Sequence, residues 1–252
     1  MRVVVTLTTI PTREGSVVKT IQSLQSGTVT PDAIYVNLPE WYPRFKKAPD
    51  PNLELKLKTL GVIVNKCKDF GVLTKLIPTL ELETDPETLI IIVDDDMNYQ
   101  PRFLEGLVKG YNEFKCPVGY SGIAYPESVL RVYGKLRYHV FWGHGTGTEM
   151  LECAFGFAIP RGIMEGFPKI EPMTEKSEKY IYLSDDYLYT RFMDCKGVPK
   201  KVVCYPWAGR FGDDWSTILS INPGSQIHAL SQDEKNLHNF LMAGQTFFNL
   251  KE

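Results

Sequence analysis

The first 115 residues alternate between short apolar runs and longer stretches in which apolar positions recur every three or four residues. The apolar runs cover residues 2–8, 33–38, 62–65 and 89–93. The last of them is continuously apolar, which is typical of a strand buried on both faces. Helices are predicted over residues 16–26, 53–60, 74–82 and 101–114. This alternation predicts an α/β fold with a mainly parallel sheet flanked by helices.

After Cys116 the pattern changes, because the apolar runs become short and are broken by glycine and proline. These runs cover residues 118–123, 129–133, 138–141 and 153–159. They predict a mixed sheet with a small antiparallel portion in the C-terminal half. Three later elements are predicted: a helix over 185–196 capped by Ser184, a strand over 202–205 and a helix over 233–243. Since the chain shows no internal repeat or linker, we expect a single domain over residues 1–252 with two halves, 1–115 and 116–252.

Composition narrows the class of protein. The chain has 252 residues, a net charge of -2 and 43% hydrophobic residues, which are ordinary values for a soluble globular protein. This charge gives no sign of a nucleic-acid partner or an anionic membrane surface. The five cysteines are scattered, which argues against a disulfide framework or a structural zinc site. Because we find neither a signal peptide nor a membrane span, we expect a cytoplasmic location.

Three consecutive carboxylates, Asp94, Asp95 and Asp96, follow the apolar run at 89–93. Repulsion and desolvation oppose three like charges at the end of a buried strand, but a divalent cation removes this objection. Mg²⁺ and Mn²⁺ prefer oxygen ligands, and open α/β sheets bind ligands at the carboxyl ends of their strands. We therefore predict a metal–diphosphate site, against the alternative of an acidic loop. In an extended segment Asp94 and Asp96 point the same way and Asp95 points away, which suits a structural role for Asp95.

A second acidic pair, Asp185 and Asp186, begins the predicted helix at 185–196. These acids complement the helix dipole, and beside a metal site one of them is also a candidate catalytic carboxylate. Arg13 and Lys75 follow strands and are candidates to neutralise a diphosphate, although any single lysine is more often a surface charge. Lys66 and Lys68 are weaker candidates of the same kind.

Two histidines are candidate ligands. His228 lies between an aperiodic segment and the last predicted helix, where it could close over a donor and complete the metal shell. His144 lies in a glycine-rich loop that would let backbone approach a ligand closely. That loop is not a Walker-type phosphate loop, because no Gly-Lys-Ser/Thr follows it. A lone histidine is more often structural than a ligand, so the alternative stays open for both.

Four segments, taken in order, resemble glycosyltransferases of the GT-A fold. They are Leu7-Thr8-Thr9-Ile10-Pro11-Thr12-Arg13, Lys68-Asp69-Phe70-Gly71-Val72-Leu73-Thr74-Lys75-Leu76, Val93-Asp94-Asp95-Asp96 and Ser184-Asp185-Asp186-Tyr187. The set is similar to that of bacterial and chlorovirus enzymes that build surface or capsid glycans. The resemblance extends to roughly residue 205 and is specific as a set rather than motif by motif.

The resemblance implies a UDP-sugar donor, with UDP-rhamnose among the candidates, Mn²⁺ or Mg²⁺ as the cofactor, and an oligosaccharide or glycoprotein glycan as the acceptor. For a viral chain the expected location is the host cytoplasm. Residues 1–115 would be the nucleotide-binding half and 116–252 the acceptor and sugar half. The implied residues are Asp94 and Asp96 for the metal; Thr8, Arg13, Asp69, Lys75, Asp94, Asp95 and Gly156 for the nucleotide-sugar; and Asp185 and Asp186 for catalysis.

The sequence leaves the stereochemistry open. In an inverting enzyme Asp185 or Asp186 would take the acceptor proton, whereas in a retaining enzyme a leaving-group phosphate could take it and the carboxylate would stabilise charge. Two other functions remain as alternatives. A sugar-phosphate nucleotidyltransferase would also use metal and carboxylates, but its glycine-rich phosphate loop is missing near the N-terminus. A non-catalytic sugar-binding module is supported only by the 12% aromatic content.

Overall fold

The computed structural model describes residues 1–124, 139–141, 144–148, 150–176 and 185–204. The strands are β1 Val3–Thr8, β2 Ala33–Pro39, β3 Ile63–Cys67, β4 Leu89–Ile92, β5 Val118–Gly119, β6 Gly122–Ala124, β7 His139–Phe141, β8 Thr146–Gly147, β9 Met150–Leu151, β10 Phe157–Pro160 and β11 Lys201–Val202. The α-helices are α1 Glu14–Gln25, α2 Leu53–Thr59, α3 Ile77–Leu82, α4 Phe103–Phe114 and α5 Asp185–Cys195. Short 3₁₀ turns cover Gly71–Lys75, Cys153–Phe155 and Arg161–Met164.

Within these residues the strands form an eight-stranded sheet in the order β3-β2-β1-β4-β10-β5-β11-β8. The four strands of the N-terminal half pair in parallel. Strand β10 is antiparallel to both β4 and β5, and a second sheet, β7-β6-β9, is also antiparallel. The predicted α/β fold with a mixed, mainly parallel sheet and an antiparallel portion in the C-terminal half is confirmed.

The helices pack on both faces of this sheet, and the alternation of side chains along each strand explains why. In β4, Leu89 and Ile91 face the core shared with α1, α2 and α4. Ile90 and Ile92 face the opposite core, which includes the Gly71–Lys75 turn and α5. All four side chains are fully buried, so the continuous apolar run corresponds to a strand covered on both sides.

Some predicted elements differ from the structure for identifiable reasons. The helix predicted over 74–82 is divided into the Gly71–Lys75 turn and α3, because Pro78 suits a first helical turn and not a helix interior. The strand predicted over 153–159 begins only at Phe157, after a 3₁₀ turn and Gly156. Strand β3 is partly exposed because it is the sheet edge.

Several predictions lie outside the described residues. They are the strand over 129–133, the cap Ser184, the metal ligand His228 and the helix over 233–243. The strand predicted over 202–205 is β11, which the structure limits to two residues. Among the residues that are described, no helix is long and apolar enough to cross a bilayer.

Candidate active site

Strands β1 and β4 are parallel neighbours, so the loops at their carboxyl ends meet at one edge of the sheet. Thr9 Oγ1 donates to Asp95 Oδ2 at 2.6 Å, and Arg13 Nη1 donates to Asp95 Oδ1 at 3.1 Å. Thr20 Oγ1 donates to the Asp95 carbonyl at 2.9 Å. Burial raises the pKa of the Asp95 carboxyl to about 6, although the charge of Arg13 opposes this shift. Contacts within the protein therefore hold Asp95 in place.

Arg13 connects two members of the acidic triplet. Its Nη1 atom lies 3.1 Å from Asp95 Oδ1 and 3.2 Å from Asp96 Oδ2. Burial disfavours the charged guanidinium, but Asp95 and Asp96 outweigh it and raise the Arg13 pKa. The strand ends at Ile92 and the chain bends at residues 95–96, so the alternation expected of an extended segment does not continue. Consequently Asp96 contacts Arg13, whereas Asp94 contacts a different cation.

That second cation is Lys75, which joins the two predicted acidic groups. Its Nζ atom contacts Asp94 Oδ1 and lies 2.7 Å from Asp185 Oδ2. Burial opposes the charged ammonium, yet the charges of Asp185 and Asp94 hold the Lys75 pKa well above its ordinary value. Polar groups of the neighbouring strands fix the backbone here, because Thr6 Oγ1 and Asn37 Nδ2 both donate to the Lys75 carbonyl. Lys75 is thus a buried, anchored cation between the two acids.

The second acidic pair begins α5 and packs against the Cys153–Phe155 turn. The Cys153 N–H donates to Asp186 Oδ1 at 2.7 Å. Burial and the nearby charge of Asp185 raise the Asp186 pKa well above its ordinary value. Burial also raises the pKa of the Cys153 thiol, which stays protonated. The arrangement therefore places the Asp185 carboxylate, which Lys75 contacts, beside the strongly desolvated carboxyl group of Asp186.

Five carboxylates and two cations meet at this edge of the sheet. They are Asp94, Asp95, Asp96, Asp185 and Asp186, with Arg13 and Lys75. This excess of carboxylates over cations fits a hard divalent cation with oxygen ligands. Among the described residues, the group whose three ligand atoms lie within 4.8 Å of one another is Cys153, Asp185 and Asp186, and not the triplet. The assignment of the metal to Asp94 and Asp96 therefore remains a prediction.

Two other residues predicted to bind the nucleotide-sugar, Thr8 and Asp69, form hydrogen bonds with neighbouring backbone groups. Thr8 Oγ1 donates to the Asn37 carbonyl at 2.7 Å, so its hydroxyl joins β1 to β2. Asp69 Oδ1 accepts the Gly71 N–H at 2.8 Å. Asp69 Oδ2 is buried without a hydrogen-bond partner in the described part of the chain, and burial raises the Asp69 pKa. An unsatisfied buried oxygen of this kind suits a residue that meets a ligand.

Gly156 is required by packing. Its φ is +91°, and a Cβ atom there would lie 2.4 Å and 2.6 Å from carbons of the Phe103 ring. The glycine therefore allows the turn before β10 to lie directly against α4.

Two minor candidates lie elsewhere. His144 Nε2 is 3.1 Å from Glu113 Oε2, and its Nδ1 accepts the Cys204 N–H. Lys66 pairs with Glu54 at 2.8 Å on the exposed side of α2.

The sequence did not point to three residues that organise the site: Thr9, Tyr99 and Cys153. Thr9 directly follows Thr8, which the sequence did predict. Side chains of successive residues in an extended segment point to opposite sides, and this alternation is the signal that could have indicated Thr9. Tyr99 accepts the Asp94 N–H at 3.0 Å through its hydroxyl. No local signal in the sequence pointed to Tyr99 or Cys153, because their contacts with Ala154 and Asp186 join residues that are 55 and 33 positions apart.

No protein-family profile and no curated protein matches the chain. Solved structures do resemble it. Glucosyl-3-phosphoglycerate synthase from Mycobacterium tuberculosis in complex with UDP has a TM-score of 0.53 at 13% identity, covering 100% of this chain and 81% of that one. The same enzyme with Mn²⁺ and UDP-glucose has a TM-score of 0.52 at 12% identity, covering 96% and 78%. At this identity the likeness shows the fold, and the chain has the GT-A fold.

Proposed function

We propose that the protein is a metal-dependent glycosyltransferase that moves a sugar from a UDP-sugar to an acceptor hydroxyl. The observation that carries the proposal is the cluster of five carboxylates around Arg13 and Lys75 at the carboxyl ends of β1 and β4. Ligands of open α/β sheets bind at this edge. A protein with the same fold was solved with Mn²⁺ and UDP-glucose, which supports the choice of donor and cofactor.

In this proposal Asp94 and Asp96, with His228, hold Mn²⁺ or Mg²⁺. The cation supplies Lewis-acid stabilisation of the diphosphate leaving group. Arg13 and Lys75 contribute positive charge beside the same group, and their contacts with the triplet hold the carboxylates in place. Thr8, Asp69 and Gly156 are proposed to contact the nucleotide-sugar, and Asp69 offers a buried acceptor oxygen for this purpose.

Asp185 and Asp186 are proposed to act at the sugar. Lys75 Nζ lies 2.7 Å from Asp185 Oδ2 and fixes the position of this carboxylate, which is then suited to stabilise positive charge that develops on the sugar ring. Asp186 is kept in place by the Cys153 N–H. The anomeric configuration of the product, read by NMR, decides their roles. Inversion requires one carboxylate to take the acceptor proton, whereas retention leaves the carboxylate to stabilise charge.

The substrates are proposed from the sequence resemblance to bacterial and chlorovirus enzymes. It favours a hexosyl or deoxyhexosyl donor, with UDP-rhamnose as a candidate, and a glycan hydroxyl as the acceptor. A panel of UDP-sugars with Mn²⁺, followed by release of UDP, identifies the donor without knowledge of the acceptor, because transferases also hydrolyse their donors slowly. The donor then serves to screen glycan acceptors.

The proposal is tested by Mn²⁺-dependent turnover in wild type and Asp96→Asn. We expect wild type to release UDP from at least one UDP-sugar only when Mn²⁺ or Mg²⁺ is present. We expect the variant to lose at least ~100-fold in rate, because a removed metal ligand weakens both binding and charge stabilisation. Glu87→Gln is the control, since Glu87 is exposed and lies before β4, at the opposite end of the same strand. Equal rates in the three proteins, or turnover without a metal, would refute the proposed function.

A further inference from the structure

The Tyr99 hydroxyl connects the acidic triplet to a turn on another element. Tyr99 is 2% exposed, and its hydroxyl accepts the Asp94 N–H at 3.0 Å and donates to the Ala154 carbonyl at 3.2 Å. The residue itself is fixed, because its backbone N–H donates to Ser23 Oγ at 3.0 Å and its ring packs on Phe103. A rigid, buried hydroxyl thus bridges two backbone segments that are distant in sequence.

Each of these segments carries part of the site. On one side the bridge ends at the backbone of Asp94, whose carboxylate contacts Lys75. On the other side it ends at Ala154, and the preceding residue Cys153 donates its N–H to Asp186 at 2.7 Å. The bridge therefore runs from Asp94 through Tyr99 and the Cys153–Phe155 turn to Asp186. It uses neutral groups and backbone, whereas the connection through Lys75 uses charge.

We propose that Tyr99 is a positioning residue that sets the spacing between the diphosphate side of the site, at Asp94, and the sugar side, at Asp186. This inference rests on the proposed function. The two segments continue beyond the pairing of β4 with β10, where Ile92 lies opposite Phe157 and the ladder ends. Beyond that point the Tyr99 hydroxyl joins them. Reacting groups have to be held to about 0.5 Å, so loss of this bridge acts on the chemical step.

Tyr99→Phe removes the hydroxyl and keeps the ring that packs on Phe103. The matched control is Tyr120→Phe. Tyr120 is 1% exposed, donates its hydroxyl to the Phe103 carbonyl at 2.5 Å and packs on the same Phe103 ring. Both substitutions remove one buried hydroxyl from the same apolar region, but only the first removes a contact to the acidic loop and to the Cys153–Phe155 turn.

We expect Tyr99→Phe to lower kcat by ~10-fold or more, with a donor KM close to that of wild type. The reason is that the contacts to the substrate remain, whereas the carboxyl group of Asp186 is displaced relative to Asp94. Tyr120→Phe is expected to keep the wild-type kcat at temperatures well below its Tm. Equal losses of kcat in the two variants would mean a general packing effect and would overturn the inference, as would a wild-type kcat in Tyr99→Phe.

Hydrogen exchange followed by mass spectrometry separates this inference from the proposed function. We expect Tyr99→Phe to speed exchange in peptides that cover Asp94 and, on the other side, the Cys153–Phe155 turn, and we expect Tyr120→Phe to change neither. If wild type fails to turn over any UDP-sugar, the proposed function fails, and the exchange data alone decide whether Tyr99 couples the two segments. Faster exchange on one side only, or the same pattern in both variants, would overturn the coupling.

Discussion

Replacing Lys75 by methionine removes the cation that lies between the two acidic groups while it keeps an unbranched side chain of similar length. The Lys75 side chain is 12% exposed, and its partners Asp94 and Asp185 are 17% and 8% exposed. Water therefore does little to compensate either carboxylate when the ammonium is lost. Leaving a buried charge without its partner costs about 3–5 kcal/mol, and we take about 3 kcal/mol because Asp94 keeps some exposure. For a chain of this size, this corresponds to a fall in Tm of about 6–12 °C.

The effect of Mn²⁺ on the Tm of this variant tests the proposed metal site. In wild type the Lys75 ammonium contacts the carboxylate of Asp94, a residue that the proposal assigns to the metal. In Lys75→Met the ammonium no longer competes with Mn²⁺ for this carboxylate, and the bound Mn²⁺ replaces part of the lost positive charge. We therefore expect Mn²⁺ to raise the Tm of the variant by more than it raises the Tm of wild type. UDP affinity in the presence of Mn²⁺ should nevertheless fall, because a cation beside the diphosphate is gone.

Differential scanning calorimetry of both proteins, with Mn²⁺ and with a chelator, measures the two effects. Lys200→Met is the matched control, since Lys200 has a side chain that is 4% exposed and contacts Asp194. Asp194 is 34% exposed and can be hydrated when its partner is removed, so we expect a small loss of Tm and a wild-type response to Mn²⁺. Two results would refute the reasoning: Lys75→Met has the same Tm as wild type, or Mn²⁺ raises the Tm of the variant by no more than it raises that of wild type.

Two further predictions concern the frame around the site. Arg2 donates to both oxygens of Glu83 at 2.8–3.1 Å and lowers its pKa below 4.5, so this carboxylate stabilises the fold above pH 4.5 and loses its effect as pH falls through its folded pKa. We expect Glu83→Gln to have a lower Tm than wild type at pH 7 and a smaller decline on acidification below pH 4.5, and parallel Tm–pH curves would contradict this. Gly156→Ala should cost about 2–4 kcal/mol, measured by urea unfolding, because the new Cβ would overlap the Phe103 ring at a φ of +91°. Gly166→Ala, with a φ of +77° and no atom within 4 Å of the added Cβ, should lose less, and equal losses would show that the ring contact is unimportant.

The sequence predicted the frame of the site through features that are local. The continuous apolar run of β4 indicated a strand buried on both faces. Because the acidic triplet follows this run, it was expected at the carboxyl end of the strand. Arg13 and Lys75 could be placed near that triplet because residues that follow parallel strands meet at one edge of a sheet. In the structure Arg13 contacts Asp95 and Asp96, and Lys75 contacts Asp94.

The connections within the site could not be predicted because they depend on the order of strands. Strand β10 lies beside β4 although more than 60 residues separate them, and this pairing brings Cys153 and Ala154 to the acidic loop. The bend at residues 95–96 also overrides the simple alternation and sends Asp94 and Asp96 to different cations. Neither the tyrosine bridge nor the Lys75 link has a pattern along the chain that would reveal it.

The central claim is that the carboxylates and cations at the ends of β1 and β4 bind the diphosphate of a UDP-sugar through a divalent cation. Isothermal titration calorimetry of the protein with UDP, in the presence of Mn²⁺ and after its removal by a chelator, tests the claim most directly. We predict saturable binding of UDP with Mn²⁺ and a loss of at least ~10-fold in affinity without it. A protein that ignores UDP in both conditions, or that binds it equally well in both, would contradict the account.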